Sequence, residues 1–254
     1  MVENVFIWGS KSYALLISCF LKNSKKELNY SYIRPSNKRF KIDFIFDPYA
    51  KKQNHEFEGK FFNNPSNFSK NIKKSKSFVV CVGDNYGKAR YFISVFLEKF
   101  NLNPLTLISK HSLILKKTKI GKGVVVMPKA YLSNYSEIGD YSILNSSSNI
   151  EHECKIGKGV HIMSGACIGG RSVVGDFATI GTNATVLPGL KIGKGAYIGA
   201  GAVVTKNVSD NSLIISITGK FKKKINNKVD YKIFNRILKK KYYDKKNFNS
   251  NSCF

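Results

Sequence analysis

The chain has 254 residues, enough for two domains, and its hydrophobic content of 43% is that of an ordinary globular protein. Its 42 Lys and Arg against 16 Asp and Glu give a net charge of +26, which suits anionic small molecules or lipid head groups; with no helix-turn-helix, RNA-binding signature or aromatic-basic platform, that charge does not make a specific nucleic-acid binder. The cysteines (Cys19, Cys81, Cys154, Cys167, Cys253) are odd in number, scattered and without a CxxC, which argues against a disulfide scaffold or zinc knuckle and for the reducing cytoplasm.

The first 110 residues read as alternating strands and helices. Asn4–Trp8 is a buried strand, Gly9 opens a turn, and Ser12–Leu21 has helical spacing. The stretch 23–41 is rich in Lys and Asn and reads as an exposed insertion. Phe40–Phe46 is a second strand ending at Asp47, and Phe78–Val82 a third, followed by Gly83-Asp84-Asn85. Gly87–Phe100 reads as a helix and Leu105–Ile108 as a last strand. This order predicts a small Rossmann-like α/β sheet, whose ligands bind at the carboxyl ends of its strands. Gly9, Lys11, Ser12, Tyr13, Asp47 and Gly83 are therefore the candidate substrate-binding residues, weighed against a purely structural domain. The longest apolar run, Tyr13–Leu21, is too short to span a membrane. The first residues do not read as a signal peptide.

From Ile114 every sixth residue is Ile, Leu or Val, through sixteen hexads to Val204. A small or β-branched residue follows four places later in all but one, Leu190 being the exception. A period of six fits neither an α-helix nor a flat strand. It fits a coil of short parallel strands, three hexads to the turn, with the aliphatic residues stacked inside. Residues 18 apart then lie one above another, separated by about 4.8 Å, the spacing of paired strands. By that rule Ser164, Thr182 and Ala200 form one vertical line on the outside. After Val204 the ladder stops. Residues 220–254 carry twelve Lys and Arg against two Asp. Within this tail Val229, Ile233, Ile237 and Leu238 have the spacing of a basic amphipathic helix, which can pack on its own protein, fray, or lie weakly on a membrane surface. The predicted domains are 1–110, 111–219 and a basic extension 220–254.

Two of the four histidines, His152 and His161, lie in the coils. His152 is two residues past an inward slot and is flanked by Glu151 and Glu153. An imidazole beside a carboxylate is a good general base near neutral pH; the alternative is a surface histidine among solvated charges. Two histidines fall short of the three that a β-helix zinc enzyme of the carbonic anhydrase type needs, so no metal is expected.

The run from Leu144 to Gly157 (LNSSSNIEHECKIG) closely resembles the active-site coil of sugar acetyltransferases of the sialic-acid O-acetyltransferase and UDP-4-amino-sugar N-acetyltransferase type. Phe78–Arg90 (FVVCVGDNYGKAR) and Ile198–Val208 (IGAGAVVTKNV) are similar to that family too, as is the order of α/β domain and left-handed β-helix. The resemblance implies acetyl transfer from acetyl-CoA to an amino or hydroxyl group of a sugar, in a homotrimer with the cofactor between neighbouring solenoids. It implies His152 as base, Glu153 as the supporting carboxylate, and His161, Thr182 and Ala200 at the acetyl-CoA site. Asn145 is implied in positioning the acceptor. A nucleotide-linked amino sugar for surface glycans is the expected acceptor, with a sialic acid or similar sugar, another acyl donor, or a non-catalytic scaffold as alternatives. Three departures stand out. Lys11, Ser12 and Tyr13 replace a Gly- and His-containing first loop, with Lys11 suited to meet a phosphate. Ser216–Gly219 replaces a Gly-x-Pro-Ala segment, and Met163-Ser164 an Ala-Pro.

Overall fold

The computed structural model describes residues 2–21, 32–33, 39–51, 59–215 and 220–224. Most of the expected 23–41 insertion and the tail helix around Val229 to Leu238 lie outside the described residues.

The α/β domain holds strands β1 (Val2–Trp8), β2 (Tyr32–Ile33), β3 (Arg39–Phe46), β4 (Lys60–Phe62), β5 (Ser77–Val80) and β6 (Asn103–Pro104), with helices α1 (Ser12–Leu21), α2 (Pro65–Asn71) and α3 (Gly87–Glu98). Five of these strands form a parallel sheet in the order β4-β3-β1-β5-β6. Runs such as FIW and FIF are apolar on both faces because the sheet is covered on both. On one face Phe6, Trp8, Phe44, Phe46 and Phe78 meet Phe68 of α2 and Phe96 of α3 in an aromatic core, largely edge to face. On the other, Val5, Ile7 and Ile45 pack with Ala14 and Ile17 of α1 and with Val125, Met127 and Ile143 of the next domain.

Two short strands stand before and over the end of the expected last strand, Leu105–Ile108. Asn103–Pro104 is the edge of the α/β sheet, whereas Leu107–Ser109 (β7) pairs with Val125–Val126 and opens the first coil. Pro104 has no N–H to extend the ladder, so an edge position suits it. β2 pairs antiparallel with β7 and caps that end of the coil.

From Leu107 the chain winds as a left-handed parallel β-helix with three sheets. Residues 18 apart pair in register throughout, for example Leu132 with Ile150 and Ile150 with Ile168. The hexad residues from Val126 to Val204 are almost wholly enclosed, in one core with the small residues such as Ala130, Ala166 and Ala184. Ser212–Ile215 closes the far end and pairs antiparallel with Lys220–Lys224. The first described residues of the basic extension are thus an edge strand, not a helix.

One edge of the prism alternates with a period of two coils. Gly121-Lys122-Gly123, Gly157-Lys158-Gly159 and Gly193-Lys194-Gly195 alternate with Gly139-Asp140-Tyr141, Gly175-Asp176-Phe177 and Ser209-Asp210-Asn211. Each Asp accepts the backbone N–H of a Lys on the neighbouring coil: Lys122 to Asp140 Oδ1 at 3.0 Å, Lys158 to Asp176 Oδ1 at 3.0 Å, Lys194 to Asp210 Oδ1 at 2.8 Å. Each ring lies over a glycine. A Cβ at Gly123 would come within 2.5 Å of Tyr141, and one at Gly159 within 2.8 Å of Phe177. Tyr91 of α3 then meets Tyr141 and Phe177 at centroid distances of 5.7 and 5.5 Å. Helix α3 is thereby held on this edge, and Gly87 at its start lies against Gly159 too closely for any side chain.

Candidate active site

His152 lies on a turn between the strand Asn149–Ile150 and the strand Lys155–Ile156. Its Nδ1 is 3.1 Å from Glu153 Oε2, and the two side chains are 53% and 54% exposed. A carboxylate only accepts, so Nδ1–H donates to Glu153 and Nε2 carries the lone pair, on the ring edge nearest Gly170. Glu153 has a left-handed backbone (φ 60°), as do Tyr135 and Arg171 at the matching places of the coils on either side.

Ser164, Thr182 and Ala200 form the expected line: Asn183 N–H donates to Ser164 O at 3.0 Å and Gly201 N–H to Thr182 O at 2.8 Å. Thr182 and Ala200 are exposed and Ser164 is half-buried. This line runs along a different corner of the prism from His152: it lies between the sheets of His161 and Cys167, whereas His152 lies between those of Asn149 and Lys155. Asn145 shares the corner of the line, half-buried, its Oδ1 accepting from Ser146 N–H.

His161 is almost completely buried, at 5% exposure. It belongs to an outward-facing column, Leu107, Val125, Ile143, His161, Thr179, Tyr197 and Leu213, on one face of the β-helix. The first three sit in the core shared with the α/β sheet. At His161 the column leaves that core and meets the loop after β5. His161 Nδ1 is 3.1 Å from Asp84 O, and Thr179 Oγ1 donates to the same oxygen at 3.4 Å. A carbonyl only accepts, so the imidazole carries its proton on Nδ1. Burial, reinforced by the nearby Arg90 charge, lowers the His161 pKa to about 4. Its Nε2 is a buried acceptor without a partner among the described residues.

This shift has a measurable consequence. The unfolded chain takes up a proton at His161 below about pH 6.5, the folded protein only near pH 4. The stability this residue confers is therefore complete above pH 6.5 and is lost as the pH falls toward 4. His161→Asn keeps an N–H for Asp84 O but cannot be protonated. Between pH 7 and 4.5, urea unfolding is expected to cost the native protein roughly 2 kcal/mol more stability than the variant; equal losses would show that His161 does not titrate differently on folding.

The first-loop residues gather at the carboxyl ends of β1, β3 and β5. Gly9 (φ 104°) is pressed against Cys81 O, and its N–H donates to Phe46 O at 2.8 Å. Asp47 is buried. Its Oδ2 accepts from Ser10 N–H (3.0 Å) and Ser10 Oγ–H (2.7 Å), and its Oδ1 from Tyr49 N–H (3.0 Å). Lys11 and Ser12 are exposed at the start of α1. The Tyr13 hydroxyl is buried without a partner among the described residues, and burial pushes its pKa well above the ordinary phenol range. Tyr13 thus offers a ligand part of its ring, and Asp47 chiefly shapes the loop through Ser10. Gly83 is half-buried beside the His161 ring.

The sequence points to Ser10 and Asp84 only as members of the loops Gly9–Tyr13 and Gly83–Asn85, and it gives Arg90 no role. The Arg90 signal was present, a basic residue followed by the apolar run of a helix. Its guanidinium is 3% exposed and donates from Nε to Tyr141 O, from one terminal nitrogen to Val82 O, and from the other to Gly159 O and Val160 O. Burial lowers its pKa to about 10. It ties α3 and the Gly83 loop to two successive coils. Among the described residues no group of three or more His, Cys, Asp or Glu side chains is placed to hold a metal, and no helix is long and apolar enough to cross a membrane.

Residues 171–206 match the bacterial transferase hexapeptide (six repeats) family. No curated protein sequence matches the chain. Among solved structures, a histidine-to-alanine variant of GDP-perosamine N-acetyltransferase from Caulobacter crescentus, in complex with CoA and GDP-perosamine, is 22% identical, with 87% of this chain and 97% of that chain covered and a TM-score of 0.69. The acetyltransferase domain of PglB from Neisseria gonorrhoeae, in complex with acetyl coenzyme A, is 20% identical over 87% of this chain and 100% of that chain, with a TM-score of 0.73. WeeI from Acinetobacter baumannii is 23% identical over 87% and 100% of the two chains, with a TM-score of 0.71. The chain shares the fold of these proteins over nearly their whole length: an α/β domain seated on a hexapeptide-repeat β-helix.

Proposed function

We propose that this protein transfers an acetyl group from acetyl-CoA to an amino or hydroxyl group of a sugar, most readily the amine of a nucleotide-linked amino sugar used for surface glycans. The observation that carries this reading is the exposed His152–Glu153 pair, with Nδ1 engaged by the carboxylate so that Nε2 keeps the basic lone pair. Similar folds bound to CoA with GDP-perosamine, or to acetyl coenzyme A, support it.

The acceptor nitrogen or oxygen attacks the thioester carbonyl carbon while His152 Nε2 takes its proton. The tetrahedral intermediate then collapses, the carbon–sulfur bond breaks, and the imidazolium returns the proton to the departing thiolate. No covalent enzyme intermediate and no metal take part. Acetyl-CoA is assigned to the line through Thr182 and Ala200 together with His161. The acceptor is assigned to Gly9, Lys11, Ser12, Tyr13, Asp47 and Gly83, with Asn145 in support; Lys11 suits a phosphate. Since His152 and the Thr182 line occupy different corners of one prism, a complete site calls for a neighbouring copy, which fits a homotrimer with the cofactor between solenoids. The cytoplasm is the assigned compartment, with weak contact between the basic extension and anionic membrane surfaces.

The test is acetyl transfer from acetyl-CoA against nucleotide-linked amino sugars and free sialic acids, alongside a calorimetric titration with acetyl-CoA. Turnover of an amino sugar is the expected result, turnover of a sialic acid alone would move the assignment to O-acetylation, and no saturable binding of acetyl-CoA would overturn it in favour of a scaffold.

A further inference from the structure

Gly170 lies one coil beyond His152. The backbone bonds Glu153 N–H to Asn134 O, Arg171 N–H to His152 O and Gly189 N–H to Gly170 O put Asn134, His152, Gly170 and Pro188 in one column. Three of the four positions carry side chains, so the turn itself accepts them. Gly170 does not have the left-handed backbone that demands glycine; that conformation belongs to the next residue of each coil, at Tyr135, Glu153, Arg171 and Gly189. Its glycine therefore answers to something else. A Cβ built at Gly170 would meet the His152 ring first, with Nε2 at 2.5 Å, Cε1 at 2.8 Å and Cδ2 at 3.0 Å. The neighbouring Gly169 is different: a Cβ there would strike the Pro188 backbone nitrogen at 2.6 Å.

We propose that Gly170 is a positioning residue for His152: its missing side chain is the space in which the Nε2 edge of the imidazole rests while Glu153 holds the Nδ1 edge. The inference rests on His152 acting as the base. The ring is fixed from two sides, by a hydrogen bond on one edge and by the floor of the next coil on the other. A methyl group at 170 pushes the ring outward and stands beside the nitrogen that must face the acceptor. Because the ring is half-exposed it can swing into solvent, so the fold tolerates the change while the geometry of proton transfer does not. A displacement of about 1 Å at a reacting group is enough to cost on the order of 100-fold in rate.

The test joins kinetics to a direct reading of the ring. In Gly170→Ala, kcat is expected to fall by about 30- to 100-fold, with acetyl-CoA affinity and melting temperature near those of the native protein. In a His152→Ala background the same methyl has no ring to displace, so adding Gly170→Ala is expected to leave the residual rate unchanged. The His152 ring signals in NMR, identified by their loss in His152→Ala, should move on Glu153→Gln in the native background and cease to respond in the Gly170→Ala background. Equal losses from Gly170→Ala with and without His152 would overturn the proposal, as would a ring that still responds to Glu153. If His152→Ala itself leaves turnover unchanged, the base assignment fails instead, and the NMR reading still decides whether Gly170 fixes the ring.

Discussion

Replacing His152 by alanine is expected to lower kcat by roughly 100- to 10,000-fold, the range that a well-placed general base contributes. Acetyl-CoA affinity should change little, because the imidazole lies on a different corner from the Thr182–Ala200 line assigned to the cofactor. Stability should also hold, since a side chain that is 53% exposed encloses little of the core. Glu153→Gln keeps an acceptor for Nδ1–H but removes the negative charge that stabilises an imidazolium, so a loss in kcat no larger than that of His152→Ala is expected. Steady-state kinetics with calorimetric binding of acetyl-CoA separates these effects, and a His152→Ala enzyme with native turnover would remove the base from the mechanism.

Arg90→Met is expected to cost about 4 kcal/mol of folding stability, read from urea unfolding. The replacement fills much the same volume, so the loss is one of hydrogen bonding. The carbonyls of Tyr141, Val82, Gly159 and Val160 would each lose a donor in a largely buried seam. Arg90→Lys should recover little, because an ammonium cannot span acceptors arranged around a planar fork. A loss below about 1 kcal/mol would mean that solvent or the surrounding backbone satisfies these carbonyls. Because the same guanidinium holds the Gly83 loop through Val82, weaker acceptor binding should accompany the loss of stability.

The β-helix could be read from the chain because its constraint is periodic. An inward slot every six residues leaves a mark at Ile150, Ile156 and Ile162 that no other fold imposes. The His152–Glu153 pair was legible for a related reason: its members are adjacent, and the hexad phase alone places them outside the core. The environment of His161 was not legible. It depends on Asp84, 77 residues earlier, and on a docking of two domains that no local pattern encodes. The same holds for the Asp47 carboxylate, which turns inward to Ser10 across 37 residues. Helix α2 escaped notice for a simpler reason. Its seven residues bury only Phe68, too little for a periodic signal, although Asn64 before Pro65 is a readable start, with Asn64 Oδ1 accepting from Asn67 N–H at 2.9 Å.

The alternating edge under α3 makes the two-coil unit, not the single coil, the repeating cell of this solenoid. A duplication of 18 residues there would set like against like: two lysine turns or two aspartate turns in succession, with a glycine left beneath no ring. A duplication of 36 residues would preserve the phase. A change of length by two coils therefore keeps the contacts of that edge, including those that hold α3 through Tyr141 and Phe177, whereas a change by one coil breaks them.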